Sequence, residues 1–157
     1  MSDVFDTIKR SEVMSAIKGS GNQTTELALV AAMRNAGVTG WRRHLPFQLE
    51  LKRRSPDGGR VGLKTTVIRP DFTFRSAKLV VFVDGCFWHG CPIHSRLPQN
   101  NADFWVRKLN ANCCRDRATD AALRSRGWRV MRVWEHELRA TAALMKRLRR
   151  RLAARPI

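Results

Sequence analysis

The chain has 157 residues, the size of one compact domain, and 43% of them are hydrophobic, enough for a packed core. Its 30 Lys and Arg against 13 Asp and Glu leave a formal charge of +17. Self-repulsion on that scale calls for a polyanionic partner, nucleic acid first, although a solvated basic surface or a ribosomal-type RNA binder fits the same charge. The opening MSDVFDTIKRSE has no apolar signal-peptide stretch, and no window approaches the roughly 18 apolar residues of a membrane span. A cytoplasmic protein without membrane contact is expected, nucleoid-associated if bacterial. Four cysteines in that compartment read as thiols or metal ligands rather than disulfides.

Residues 1–20 are polar and reach Gly19 and Gly21, the pattern of a mobile arm or short helix. Thr24 or Thr25 suits the N-cap of a helix over TELALVAAMRNA that stops at Gly37, with Leu27, Val30, Ala31 and Met33 as its core-facing stripe. Trp41 to Leu51 alternates as a strand, with Pro46 marking an edge or bulge. The run KRRSPDGGRVGLK is a basic, turn-rich excursion that protrudes as a loop or long hairpin. Thr65 to Phe74 is a second β run, RSAK turns the chain, and LVVFV (79–83) has the uniform apolarity of a central strand. Residues 86–100 read as loop, 103–126 as a helix ending at Gly127, and Trp128 to Trp134 as a strand. Thr141 to Ala154 is a basic amphipathic helix with Leu144, Leu148 and Leu152 on one stripe. The order α–β–β–β–α–β–α implies an α/β fold, a mixed sheet flanked by helices. Its last strand follows a helical crossover and so lies parallel to an earlier one.

Asp71 follows Pro70 within a β run, and the chain turns four residues later, after which a buried strand returns to end at Val83-Asp84. Adjacent strands therefore bring Asp71 to the Val83–Asp84 segment, an arrangement with which nucleases hold a hard divalent cation on oxygen ligands. A Pro-Asp dipeptide is equally ordinary in a turn. Cys86-x4-Cys91-x2-His94 places three metal-ligand side chains within nine residues, of the kinds a tetrahedral zinc site uses. The fourth ligand is open among His44, Cys113, Cys114 and His136. Cys113 and Cys114 are helical neighbours about 100° apart and do not face one ion together. The plain alternative is a set of buried thiols and a surface histidine. Phe87 and Trp88, between those ligands, either wedge into a duplex step or pack under the loop, and Trp105 is open in the same way. Trp128 and Trp134 flank a strand and read as core.

The runs RPDF, FVDGCFWHGCP-x-H, a helix opening FW and closing GW, and VWE together resemble the Vsr family of T:G mismatch endonucleases. RSEVMSAI and TTELAL extend the likeness over nearly the whole chain. The resemblance implies a restriction-endonuclease-like α/β core over 1–157, with 1–20 as a DNA-contacting arm and 141–157 as a basic C-terminal helix. It implies an endodeoxyribonuclease that nicks one strand beside a T:G pair, leaving a 5′-phosphate and a 3′-hydroxyl, and so initiates very short patch repair. Asp71 matches the Mg²⁺-binding aspartate, Val83 a backbone-carbonyl ligand, His89 the general base, and Glu26 a helix glutamate that supports water at the metal. Cys86, Cys91, His94 and His136 match the structural Zn²⁺ positions. Phe87, Trp88 and Trp105 match the aromatics that insert beside the mismatch, and Met14 a residue entering from the minor groove. Duplex DNA, the mismatch-repair protein MutL and a cytosine-5 DNA methyltransferase system are the partners implied.

The chain departs from the family pattern at three places. His136 stands where a cysteine is usual and preserves zinc chemistry. Asp84 stands where some members have histidine, so its carboxylate is a further candidate for the metal. Lys52 to Lys64 has no counterpart in the shortest members. Three rival readings remain: a restriction-like or Holliday-type nuclease without mismatch preference, although such enzymes carry Asp/Glu-x-Lys where this chain reads Asp84-Gly85-Cys86; a catalytically inactive DNA-binding module; and a basic zinc-containing RNA binder, which leaves Asp71 and Glu26 idle.

Overall fold

The computed structural model describes residues 23–54, 61–94, 96–99 and 101–154. The expected arm over 1–20 with Met14, the tip 55–60 of the basic excursion, and 155–157 of the expected last helix lie outside the described residues.

Helix α1 (Gln23–Asn35) buries Thr25, Glu26, Leu29, Val30, Ala32 and Met33. The expected stripe is thus partly corrected: Leu27 is half exposed and Ala31 is exposed, because the buried rows run 25–29–33 and 26–30 at the i, i+4 spacing. The expected strand Trp41–Leu51 divides into β1 (Trp41–Arg43) and β2 (Phe47–Arg54), which join different sheets. The break falls at His44, whose φ is +52°, and at Pro46, which has no N–H for a ladder. The expected run Thr65–Phe74 divides likewise at Arg69-Pro70-Asp71, into β3 (Val61–Ile68) and β4 (Phe72–Phe74). Strands β2 and β3 form the long hairpin that the basic excursion suggested, in register from Phe47 opposite Ile68 to Arg54 opposite Val61.

The main sheet has the order β1-β4-β5-β6, with β5 (Leu79–Asp84) and β6 (Arg129–Trp134). β5 pairs antiparallel with β4 and parallel with β6, as a helical crossover requires. That crossover is α2 (Ala102–Ser125), which ends where Gly127 takes φ +75° and its N–H meets the Arg124 carbonyl at 2.9 Å. A 3₁₀ turn (Glu135–Arg139) leads into α3 (Thr141–Ala153).

Strand alternation sorts β5 between two cores. Leu79, Val81 and Val83 pack with α1 residues Leu29 and Met33 and α3 residues Leu144 and Leu148. Val80 and Phe82 face the other way, toward Leu123 of α2 and Leu49 of the hairpin. Both faces of β5 are covered, which explains its unbroken apolar run. Trp128 and Trp134, expected in the core, are only partly buried; Trp128 lies edge-on to Phe47 with ring centroids 4.9 Å apart. Large indole rings at strand ends seldom bury completely.

Candidate active site and metal centres

The end of β5 is the junction of two polar groups. On one side, the N–H of Val83 donates to Asp71 Oδ2 at 2.6 Å, so the residue expected as a carbonyl ligand is coupled to the aspartate through its amide. The ligand atoms of Asp71, Glu26 and His44 lie within 4.8 Å of one another. Glu26, only 3% exposed, meets His44 Nε2 at 3.0 Å and Arg43 Nη2 at 2.5 Å through the same carboxylate oxygen. Burial lifts the Asp71 pKa to about 7; the charges of Glu26 and Asp84 and a hydrogen bond with Glu26 add to the rise, and the Val83 N–H opposes it. Carboxylates gathered this way hold a proton between them unless a cation neutralises them. Two oxygen donors and an imidazole within one ion's reach fit a divalent cation. His44, a candidate for the cysteine-rich group on sequence grounds, belongs here.

On the other side stands His89. Its Nδ1 is 2.7 Å from Asp116 Oδ2 and 3.7 Å from Asp84 Oδ1. Burial alone would lower the His89 pKa, but the hydrogen bond to Asp116 and the charges of Asp84 and Asp116 outweigh it and hold the pKa above the usual value. Burial would raise Asp116, yet its bond to His89 and the Arg132 charge keep it below the usual carboxylate range. Helix α2 fixes this loop at further points. Asn112 Nδ2 donates to the Trp88 carbonyl at 3.0 Å and the Cys113 thiol donates to the His89 carbonyl at 3.5 Å. Gly90, with φ +66°, lets the loop pass so close that an added Cβ would sit 3.3 Å from Cys113 Sγ.

Asp84, the further candidate for the cation, lies outside the group of Glu26, His44 and Asp71. Following Val80 and Phe82 along β5, it faces α2. There Arg132 Nη1 holds both its oxygens at 2.9 Å. Burial raises the Asp84 pKa, with the Arg132 charge opposing. Arg132 also reaches Asp120 at 2.9 Å and Asp116 Oδ1 at 3.5 Å, and lies 4.8 Å over the Phe82 ring. Asp116, Asp120 and Arg132 escape the sequence reading. The available signals are the i, i+4 spacing of the two aspartates and an arginine set inside the apolar strand RVMRVW.

The loop after β5 carries a third group. Cys86, Cys91, His94 and His136 bring their ligand atoms within 4.8 Å of one another, whereas Cys113 and Cys114 stay outside it. His136 Nδ1 is 3.3 Å from Cys86 Sγ and 3.6 Å from Cys91 Sγ, and His94 Nδ1 is 3.8 Å from Cys91 Sγ. A tetrahedral ion with bonds of about 2.0–2.3 Å spaces its ligands about 3.3–3.8 Å apart, so these four fit one. Phe87 and Trp88 of the same loop form one aromatic cluster with Trp105 of α2, with centroids 5.1, 5.3 and 6.0 Å apart, and Phe104 extends it along the start of α2. All three of the expected DNA-facing aromatics are partly buried against one another, and Phe104 is half exposed.

A family model described as "DNA mismatch endonuclease Vsr" matches residues 59–95, which carry Asp71 and the Cys86–His94 loop. The DNA mismatch endonuclease Vsr of Escherichia coli is 32% identical over 146 residues, 92% of this chain and 80% of that protein. The chain belongs to the Vsr family. Two further relatives are similar at comparable length. Type II nicking enzyme V.NaeI of Lentzea aerocolonigenes is 42% identical over 82% of this chain and 68% of its own length. Type II nicking enzyme V.NmeAIP of Neisseria meningitidis is 36% identical over 96% and 94%. The mixed sheet flanked by helices agrees with the restriction-endonuclease-like core that the Vsr resemblance implied. Among the described residues, no helix is long and apolar enough to cross a membrane.

Proposed function

We propose that this Vsr-family chain is a DNA endonuclease that nicks one strand beside a T:G mismatch by cation-dependent phosphodiester hydrolysis. The observation that carries the reading is the pair of groups at the end of β5: Val83 is bonded to Asp71, and Asp84 stands beside His89.

Donation of the His89 Nδ1 proton to Asp116 leaves Nε2 as the acceptor that takes a proton from the attacking water. Asp116 holds the ring in that tautomer and stabilises the imidazolium that forms. Asp71 and the Val83 carbonyl hold a divalent cation such as Mg²⁺, and Glu26 orients water beside it. When bound, the cation supplies charge neutralisation at the phosphate and at the departing 3′-oxygen. The products of in-line attack are then a 5′-phosphate and a 3′-hydroxyl. The thiolate and imidazole donors of Cys86, Cys91, His94 and His136 suit Zn²⁺, which would pin the loop bearing Phe87, Trp88 and His89. Those aromatics, with Trp105, act as wedges at a wobble pair, where unstacking costs less. The charge of +17 supports phosphate contact along duplex DNA. A T:G pair is what deamination of 5-methylcytosine leaves, which favours a cytosine-5 methyltransferase system, and MutL with it, as partners.

The relatives named type II nicking enzymes favour a second reading, nicking directed by flanking sequence without need of a mismatch. Nicking of T:G and matched duplexes in Mg²⁺ separates the two. Cutting confined to the T:G duplex supports the first, and equal cutting of both duplexes overturns it. Asp71→Ala and His89→Ala should both abolish cutting, and full activity in either would sink the mechanism. His136→Ala should lower bound zinc, whereas unchanged zinc would remove His136 from the site.

A further inference from the structure

We infer that His44 is a direct ligand of the cation at Asp71, making this a mixed nitrogen–oxygen centre that binds Mn²⁺ more tightly than Mg²⁺. The inference rests on the proposed cation role of Asp71 and adds a residue that neither motif nor resemblance assigned to it.

Three separate elements build the cluster: α1 supplies Glu26, the β1–β2 turn His44, and the entrance to β4 Asp71. Asp71 is oriented by the 2.6 Å bond from the Val83 N–H. Glu26 is almost fully buried and already neutralised by Arg43 at 2.5 Å. A second protein cation is therefore not needed at Glu26, yet His44 Nε2 stands 3.0 Å from the same oxygen. Among the described residues no lysine or arginine forms an ion pair with Asp71. The His44 backbone fits this placement: its N–H donates to the Pro70 carbonyl at 3.2 Å, tying the turn that carries the imidazole to the residue preceding Asp71. The His44 side chain is 36% exposed, so the cluster opens to solvent on the imidazole side, where an ion or a phosphate enters.

The donor set decides the ion. Mg²⁺ demands near-ideal octahedral oxygen coordination and dehydrates reluctantly. First-row divalent ions accept imidazole readily, and Mn²⁺ tolerates carboxylates as well. The Cys86–His136 group is separate, and its thiolates select zinc over Mn²⁺.

The test is a titration of the zinc-loaded full chain with MnCl₂, followed by electron paramagnetic resonance. The expected result is one bound Mn²⁺ with a ¹⁴N coupling from a single imidazole, bound more tightly than Mg²⁺ in competition. His44→Ala should lose the coupling and weaken Mn²⁺ by roughly tenfold or more, with Mg²⁺ affinity nearly unchanged and zinc content intact. Bound Mn²⁺ without nitrogen coupling, or coupling and affinity that survive in His44→Ala, overturns the assignment. Asp71→Asn keeps the two readings apart. If it abolishes Mn²⁺ binding while the parent shows no nitrogen coupling, the cation site stands and the His44 ligand falls. If it leaves Mn²⁺ binding unchanged, both fall.

Discussion

The two sides of β5's end are built from similar residues in opposite states of balance. Around His89, the carboxylates Asp84, Asp116 and Asp120 converge on one guanidinium, Arg132, and each has a partner within hydrogen-bonding reach. Around Asp71, Glu26 has Arg43, while Asp71 has a backbone N–H and a second carboxylate for company, and its pKa is pushed up to about 7. The first side pairs its carboxylates within the protein and holds an imidazole against Asp116. The second holds donors whose charge a cation would complete. The proposed reaction, which needs both a base and charge neutralisation at phosphorus, would divide between these two halves.

If the halves are separable in this way, His89→Ala should lower the nicking rate about 10²–10⁴-fold while Mn²⁺ affinity at the Asp71 side stays within error. A joint loss of both would break the comparison. Arg132→Met attacks the balanced side through its centre. It leaves Asp84, 4% exposed, without its cation, and urea unfolding should show a loss of about 3 kcal/mol, the low end for a broken buried pair because Arg132 is 20% exposed. Asp116→Asn should slow nicking about 10- to 100-fold and move its pH profile. In the proposed role His89 acts as neutral imidazole, so activity should fall as pH drops through its raised pKa. Without Asp116 that pKa drops, and the acid limb should shift to lower pH; an unmoved limb would remove Asp116 from the positioning of His89. The mildest change is Asp120→Asn, which leaves Arg132 anchored by Asp84 and should cost ~1 kcal/mol in the same unfolding measurement.

How much of this was legible in sequence follows from how local each part is. The central strand and the helical crossover are short-range patterns and stand as read, and the same short range gathers Cys86, Cys91 and His94. His136 joins that loop from fifty residues away; it was one of four open choices until the family resemblance singled it out. The strand breaks at His44–Pro46 and Arg69–Asp71 were hidden because β propensity continues across them, and only partner choice shows that the halves join different sheets. Asp84 was left open because strand direction is visible in sequence but the facing helix is not. The period-2 rule that places it with Val80 and Phe82 needs the location of α2 before it says what Asp84 meets. The i, i+4 spacing sets Asp116 and Asp120 on one face of α2, but only the packing of β6 against that helix brings Arg132 to them.

The bond path through the Cys86–His136 pair has a consequence for the unfolded chain. A cation gripping both would tie residues fifty positions apart into a ring that contains all of α2. By the polymer arithmetic used for disulfides, closing such a ring removes about 4 kcal/mol of denatured-state entropy. The metal would then govern how far the chain can stray when it opens, and chelation would broaden the unfolded ensemble as well as release the folded loop.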